Sequence, residues 1–549
     1  MPGRRRKNNF DVAVLGAGFS GCILASLMAR RGIRVGLIDA GTHPRFSIGE
    51  STIPHTSLLL SLLSERYDVP EIDHLAYPDR IAKHVGSMCG IKRAFGFAYH
   101  RAGEPYDPRH GIQFGTSSKD ENHFFRQDID AYLFHVALHY GAAAHLKTRI
   151  VQVEINPDGV RLETEGGQSM SAQYVIDATG YRSVLVGQFE LRQNPPRLLH
   201  HSRAIFTHML GVAPFEDETF PLSWHQCTLH HVFERGWLWV IPFNNRGGST
   251  NPLTSVGLTL DPRKYPRSRK RPEEEFRSMI ARFPSIERQF VRATAARPWV
   301  STGRIQYASK QSTGYRYCLM SHTAGFVDPL FSRGLINTLE GIFALMPPLI
   351  EALNTGNFDA AAFEPVNALQ RRVLDYNDRL VNGAYIAWKD FDVWNAWLRV
   401  WALGTILTEY RMMNALADEQ VGHFAAKPPD PIFSDYEDPD YAAFFHGVEP
   451  MIRSFEQRER SALDTSHAIF EYANTYRFPV PLRRDAMRRA GWLAQNEALS
   501  DHNLHIAREG YRWALTNPDS RDLFGRAETF FRWRAHLPDR HLINGNVSG

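Results

Sequence analysis

The stretch Phe10-Asp11-Val12-Ala13-Val14-Leu15-Gly16-Ala17-Gly18-Phe19-Ser20-Gly21 decides how this chain is read. Its first six residues form a short apolar run with little alternation, the pattern of a central parallel strand buried on both faces. Gly16, Gly18 and Gly21 follow at once. A helix is expected over about 21–31, ended by Gly32, and a second strand over 35–39. Strand, glycine turn, helix and strand within about 30 residues make a βαβ unit. The glycines permit a tight turn and close backbone approach to a pyrophosphate at a helix N-terminus. Asp39 stands 23 positions after Gly16, where an acid can accept the ribose hydroxyls of a dinucleotide.

Downstream the pattern changes. Strands are expected at 149–154, 160–163 and 170–177, with turns at Asn156-Pro157-Asp158-Gly159 and Gly166-Gly167, both rich in turn-forming residues. Strand-like segments recur at 230–234, 237–243 and 255–260, followed by a charged helix over 271–283. A strand at 315–320 leads through Gly325 and Asp328 to a helix over 332–345. Beyond Pro348 the pattern is mostly helical, with a Pro- and Asp-rich loop at 428–441. The aromatic series Tyr385, Trp388, Phe391, Trp394, Trp397 and Trp401 has spacings of three and four, one helix face. The expected class is α/β: a Rossmann-like core with a β-sheet substrate domain and a helical C-terminal region. The expected division is 1–348, sheet-rich over about 190–300, and 349–549, shaping the substrate pocket.

Composition narrows the function classes. The 549 residues are 43% hydrophobic and 22% charged, a globular profile. Lys+Arg is 63 and Asp+Glu 59, a net +4, too mild for nucleic acid or a membrane as main partner. The one basic cluster, Arg4, Arg5, Arg6 and Lys7, reads as a solvated tail. Cys22, Cys89, Cys227 and Cys318 are far apart and lack CxxC spacing, so neither a zinc site nor a disulfide framework is expected. No signal peptide is visible, and the longest apolar stretch, 342–353, is interrupted by Pro347, Pro348 and Glu351. A cytoplasmic location is expected, with no metal.

The βαβ unit lacks the second half of an NAD domain, and a β-meander follows it instead. No second GxGxxG appears. Gly325-Phe326-Val327-Asp328, at a strand-to-helix junction, is expected to bring a carboxylate to the far end of the same ligand. This arrangement resembles the large FAD-binding fold of flavin monooxygenases and halogenases.

Four segments separate those families. Residues 45–54 read RFSIGESTIP, 90–97 read GIKRAFGF, 236–242 read GWLWVIP, and 325–334 read GFVDPLFSRG. Together they resemble the FAD-dependent halogenases, most of all the bacterial type that halogenates free phenols such as phloroglucinol. The likeness runs through about the first 400 residues. It implies that reduced FAD, O2 and chloride or bromide make hypohalous acid, which Lys92 relays to an electron-rich, phenolic ring. It assigns Gly16, Gly18, Gly21, Asp39, Arg45, Ser51, Arg126, Gln127 and Asp328 to the flavin. It assigns the N–H groups of Arg333 and Gly334 to the halide. Trp237 and Trp239, on one face of a strand, would wall flavin from substrate, with Phe97 and Phe331 beside the ring. Phe331 stands where the tryptophan-specific branch has a glutamate, which argues against an indole substrate.

Structural readings stand beside these. Large indoles also fill cores, Ser51 can cap the following helix, and Arg126 can form a helix salt bridge. His100 and His123 are read as structural. A separate flavin reductase is expected as partner, because no nicotinamide motif is visible. The competing functions are a flavin hydroxylase and a non-catalytic flavoprotein that binds a carrier protein.

Overall fold

The expected βαβ unit sits at the centre of a six-stranded sheet. In this computed structural model, which describes residues 8–115, 120–220, 222–420 and 435–475, Val12–Leu15 pairs in parallel with Val35–Ile38 on one side and Tyr174–Asp177 on the other. Tyr317–Leu319 and Ala143–His145 extend the parallel set outward, and Thr313–Gly314 closes one edge antiparallel. Leu15, Ile38, Asp177 and Leu319 therefore end their strands on one rim, where open α/β sheets bind ligands. The helix Phe19–Arg30 starts at that rim.

The meander forms as expected from Ile150–Asn156, Gly159–Thr164 and Ser169–Ala172. The single strand expected at 170–177 is two. At Gln173 the chain leaves the meander, and Tyr174–Asp177 joins the central sheet, held at the crossing by Gln173 N and Tyr174 N donating to the Asp11 carbonyl.

The second sheet is larger than the 190–300 expectation. It runs Thr294–Ala295, Arg203–Leu210, Thr254–Leu260, Gly236–Pro242, Cys227–Phe233, Ala94–Tyr99, Gly111–Gly115, with Val300–Arg304 also on Arg203–Leu210. Two strands thus come from 94–115, and Ala94–Tyr99 pairs in parallel with Cys227–Phe233. The helices Pro272–Ile280 and Pro284–Gln289 cover one face, burying Phe276, Ile280 and Ile286 against Ile205, Leu238 and Leu258.

The expected boundary at 348 falls inside the helix Gly334–Thr355, which continues through Pro347 and Pro348 to a left-handed Gly356. Each proline removes one helix N–H, but the buried Leu345, Met346 and Leu349 hold this turn in the core. The uninterrupted helix is long and apolar enough to cross a membrane by length and composition, and 67% of its most apolar window is buried inside the protein, the pattern of a core helix. The chain divides instead at 391/392, into compact units Met1–Phe391 and Asp392–Gly549.

The aromatic series is split as well. Tyr385 lies on the helix Glu364–Ala387, Trp388 ends it, and Phe391 opens the helix Phe391–Gln420. Within the second unit, Tyr441 packs where Gly404 leaves room and donates its hydroxyl to the Val400 carbonyl, 2.9 Å. Phe444 stacks on Tyr472 at 5.6 Å. Pro439 and Tyr441, read as loop, begin the helix Pro439–Glu456. The Arg4–Lys7 cluster, the 428–434 part of the expected loop and everything after 475 lie outside the described residues. All four cysteines are free and buried.

Candidate functional site

A cleft of about 870 Å³ opens at the strand rim and runs to the second sheet. Gly18 and Phe19 line one end, Ala178 to Tyr181 the middle, and Trp237, Trp239 and Ile241 the other. The three glycines play different parts. A Cβ on Gly16 would meet the Ala178 carbonyl at 2.6 Å, and one on Gly21 the Gly16 carbonyl at 1.9 Å, so the fold itself needs both. A Cβ on Gly18 would meet only the side-chain ends of Arg45 (3.4 Å) and Asp130 (4.0 Å), both at ordinary contact distance. Its missing side chain leaves room for a ligand, as a pyrophosphate requires.

Asp39 does not line the cleft. Its carboxylate accepts from Ala17 N (2.6 Å), Gly41 N (2.7 Å) and Arg45 Nη1 (2.7 Å), so it braces the glycine turn and anchors Arg45, which does line it. Burial alone would raise the Asp39 pKa, but Arg45 and these N–H groups hold it below the usual carboxylate value. Arg126 makes the i,i+4 bridge to Asp130 and also donates to the carbonyls of Ile48 (2.7 Å) and Gly49 (3.1 Å). It thereby ties the 45–54 strap to the cleft wall. Gln127 is half-buried and does not line the cleft.

Trp237 and Trp239 both face this cleft. Trp239 lies across Gly257, its register partner, where a Cβ would sit 1.9 Å from the indole. Its Nε1 donates to Ser255 Oγ, 3.2 Å, whereas the buried Trp237 Nε1 has no partner in the protein. His230 packs between Trp237 (5.2 Å) and Phe97 (4.5 Å), making a three-ring stack across neighbouring strands. Phe97 therefore lies one ring behind the cleft floor.

Lys92 is fully buried and also lies behind the floor. Its Nζ donates to Ser51 Oγ and to the Thr52 carbonyl, each 2.9 Å, and sits 3.4 Å from the centre of the Phe95 ring. Ser51 lines the cleft and contacts Thr228 Oγ1 (2.7 Å) and Ser332 Oγ (3.2 Å). It does not cap the helix that follows, whose N-cap is Ile53. One hydroxyl thus joins Lys92 to the cleft and to the 328–334 turn. Burial drives the Lys92 pKa well below the ordinary lysine value, opposed by Glu121 and Cys227. Burial lifts Glu121 to about 7 against its hydrogen bonds from Thr52 and Ser57. Burial also takes His123 and His230 down to about 3, so both are neutral. His123 is held by Thr228 Oγ1 and the Pro242 carbonyl, 2.9 Å each, and His100 pairs with His231 at 2.8 Å.

The turn 328–334 departs from expectation at Asp328. Its carboxylate accepts from Ser202 Oγ (2.9 Å), Tyr385 OH (3.1 Å) and Leu330 N (3.1 Å), with His200 Nε2 at 3.3 Å. This buried set turns it away from the cleft, so it clamps the turn in place. Phe331 and Arg333 are buried on the far side, around a second cavity of about 160 Å³. Ser332, Gly334 and Leu335 face the cleft, where the 22-residue helix begins. Its first N–H groups have no partner within the helix. His322 packs on Gly334, and burial lowers its pKa to about 4, leaving it neutral.

Thr228, His230, His322 and Glu121 escaped the sequence reading. A weak signal existed for the first two: Thr228 and His230 are polar residues two apart in the strand 227–233, on the face opposite His231. Among the described residues no group of His, Cys, Asp and Glu could hold a metal.

The cleft fits an extended dinucleotide: a glycine with its Cβ space open, a cationic wall, and an unpaired indole N–H. Comparison with known proteins identifies which one. The family described as tryptophan halogenase matches residues 116–426, and that described as NAD(P)-binding Rossmann-like domain matches 14–59. Monodechloroaminopyrrolnitrin halogenase PrnC of Pseudomonas fluorescens is 41% identical over 86% of each chain. Tetracycline 7-halogenase of Kitasatospora aureofaciens is 46% identical over 74% of this chain and 75% of its own. The crystal structure of halogenase PltM in complex with phloroglucinol and FAD superposes with a TM-score of 0.81 at 35% identity, over 86% of this chain and 98% of that one. The glycine turn, the strap, the indole floor and these relatives converge: the chain belongs to the tryptophan halogenase family and is an FAD-dependent halogenase, an oxidoreductase that uses reduced FAD, O2 and a halide.

Proposed function

We propose that this halogenase passes hypohalous acid through Lys92 to a phenolic ring. The carrying observation is that Lys92 lies one hydroxyl behind the cleft, joined to it through Ser51. Bound reduced FAD, with O2 and halide, supplies the oxidised halogen. Gly16, Gly18, Gly21 and Arg45 hold the pyrophosphate half, with Asp39 bracing the turn and Arg126 the strap. The N–H groups at Arg333 and Gly334 hold the halide, as free helix N-termini favour anions. Trp237 and Trp239 exclude the substrate from the flavin.

A neutral lysine amine has two N–H donors. Ser51 Oγ and the Thr52 carbonyl take both, which leaves the nitrogen lone pair for the electrophilic halogen. Burial favours that neutral form. Hydrogen-bonded or as an N–halogen bond, the halogen then meets the ring. The ring carbon–hydrogen bond breaks, a carbon–halogen bond forms, and the ring proton leaves with hydroxide as water. Electron-rich rings suit this step, and the PltM complex holds phloroglucinol, a phenol. A separate reductase supplies FADH2. Relatives at 41% and 46% identity that are halogenases favour this over hydroxylation or a non-catalytic role.

Lys92→Ala is expected to lower halogenation of a phenol panel by about 10³-fold or more, near 4 kcal/mol of transition-state stabilisation, while flavin reoxidation stays near wild type. Lys92→Arg is not expected to rescue, since a guanidinium stays protonated. Product mass spectrometry and stopped-flow absorbance read the two halves. Near-wild-type product from Lys92→Ala removes the relay.

A further inference from the structure

We propose that Glu121 is a positioning residue for halogenation, the group that sets whether Lys92 carries a proton; this rests on the reading of Lys92 as the relay. Glu121 stands opposite Lys92 in the two-stranded ladder of Gly90–Lys92 and Glu121–His123. It is 1% exposed, and its Oε2 accepts from Thr52 Oγ1 (2.7 Å) and Ser57 Oγ (2.8 Å). Thr52 links the two groups: its carbonyl takes a Lys92 N–H and its hydroxyl donates to Glu121. A buried carboxylate is costly unless hydrogen bonds and an opposite charge compensate it, and Glu121 does not line the cleft.

The other groups around Lys92 offer it no charge near neutral pH. Burial raises the Cys227 thiol to about 12, so it stays protonated, and His123 and His230 are neutral. The Phe95 ring face favours a cation at Nζ. Asp120, paired with Arg93 at 3.3 Å, pushes the Glu121 pKa further up. Burial thus drives both members of the pair toward neutrality, and their attraction drives both toward charge. Near pH 7 the pair exists either as amine and carboxylic acid or as ammonium and carboxylate. The first leaves Lys92 ready to take the halogen. Without the carboxylate nothing offsets a buried ammonium, and the amine persists to lower pH.

The test is the pH profile of single-turnover halogenation by the holoenzyme, with reduced FAD, halide and phloroglucinol as probe, and flavin reoxidation followed in parallel. Glu121→Gln keeps the shape and an acceptor for Thr52 and Ser57. Its acid limb is expected to move to lower pH by about one unit or more, the size of a neighbouring opposite charge, with reoxidation unchanged. Ser57→Ala takes one donor from the carboxylate, weakens its ionised form, and should move the limb the same way by less. A Glu121→Gln limb that coincides with wild type overturns the inference. If that variant does not fold, an unmoved limb in Ser57→Ala overturns it alone. The failures are distinguishable: a halogenating Lys92→Ala removes the relay, whereas an inactive Lys92→Ala with an unshifted limb removes only Glu121.

Discussion

The two ends of the cleft are built differently. At the glycine end, most of the contacts are short-range in sequence: Gly16 against Gly21, Asp39 against Ala17, Gly41 and Arg45, with the Ala178 carbonyl of the neighbouring strand the one distant partner. At the indole end, Lys92, Ser51, Thr228, Glu121 and Ser332 come from five separate segments and meet through strand register and hydroxyl contacts. The glycine end keeps formal charge beside open space, with Arg45 and Arg126 on the wall. The indole end removes charge, with neutral His123, His230 and His322 and a suppressed lysine. An anionic dinucleotide needs the first environment, and an electrophile kept from water needs the second.

The sharpest way to break this comparison is at the glycines. Gly21→Val places a side chain into the Gly16 carbonyl and is expected to abolish FAD binding and much of the soluble yield. Gly18→Val meets little of the protein, so it should fold with a near-normal Tm and lose FAD affinity by roughly 10-fold or more, from one blocked backbone approach. Calorimetric titration with FAD and thermal unfolding separate the two. Equal loss of stability in both variants contradicts the assignment of Gly18 to the ligand.

Acid should harm the indole end first. His123, His230 and His231 have folded pKa values near 3, pushed down by burial, against about 6.5 unfolded. Their folded values are depressed, so the stability they contribute is present above about pH 6.5 and lost as pH falls toward 3. At pH 5 each is expected to cost about 2 kcal/mol. Hydrogen exchange should therefore show Cys227–Phe233 and its neighbours opening at pH 5 before the central parallel sheet. Simultaneous opening of both sheets contradicts neutral buried histidines at the indole end.

The smallest effect is expected at Asp328. Asp328→Asn keeps the shape but weakens acceptance from Ser202, Tyr385 and His200, and should lower stability by roughly 1–3 kcal/mol. FAD affinity should stay within about threefold, because the carboxylate faces away from the cleft (about 0.6 kcal/mol). A large loss of FAD affinity at unchanged Tm restores Asp328 to the flavin.

The same contrast explains what was legible in the sequence. The βαβ unit, the meander turns and the roles of Gly16 and Gly21 follow from local backbone demands, so a linear reading reaches them. The roles proposed for Lys92, Trp237 and Trp239 rest on family likeness, since a lysine or a pair of indoles carries no local mark of its use. Glu121, Thr228 and His322 were missed because their meaning depends on which strand or helix stands opposite. The position of Asp328 after a strand points to the flavin, yet side-chain direction is decided by His200, Ser202 and Tyr385, which lie far off in the chain. Pro347 and Pro348 read as breaks because helix propensity is local, and core packing overrides it. A linear reading does not reach the place of Ala94–Tyr99 in the second sheet, because its parallel pairing with Cys227–Phe233 spans about 130 positions.

The central claim is that oxidised halogen, once made at the flavin, is held at Lys92 until a ring arrives. A double-mixing experiment tests it most directly. Enzyme with reduced FAD is mixed with O2 and halide and aged until flavin absorbance shows complete reoxidation. A phenol is then added together with a scavenger of free hypohalous acid. The account predicts halogenated product from the wild type after this delay and none from Lys92→Ala, although both reoxidise flavin alike. Absence of delayed product from the wild type, or equal product from both proteins, contradicts it.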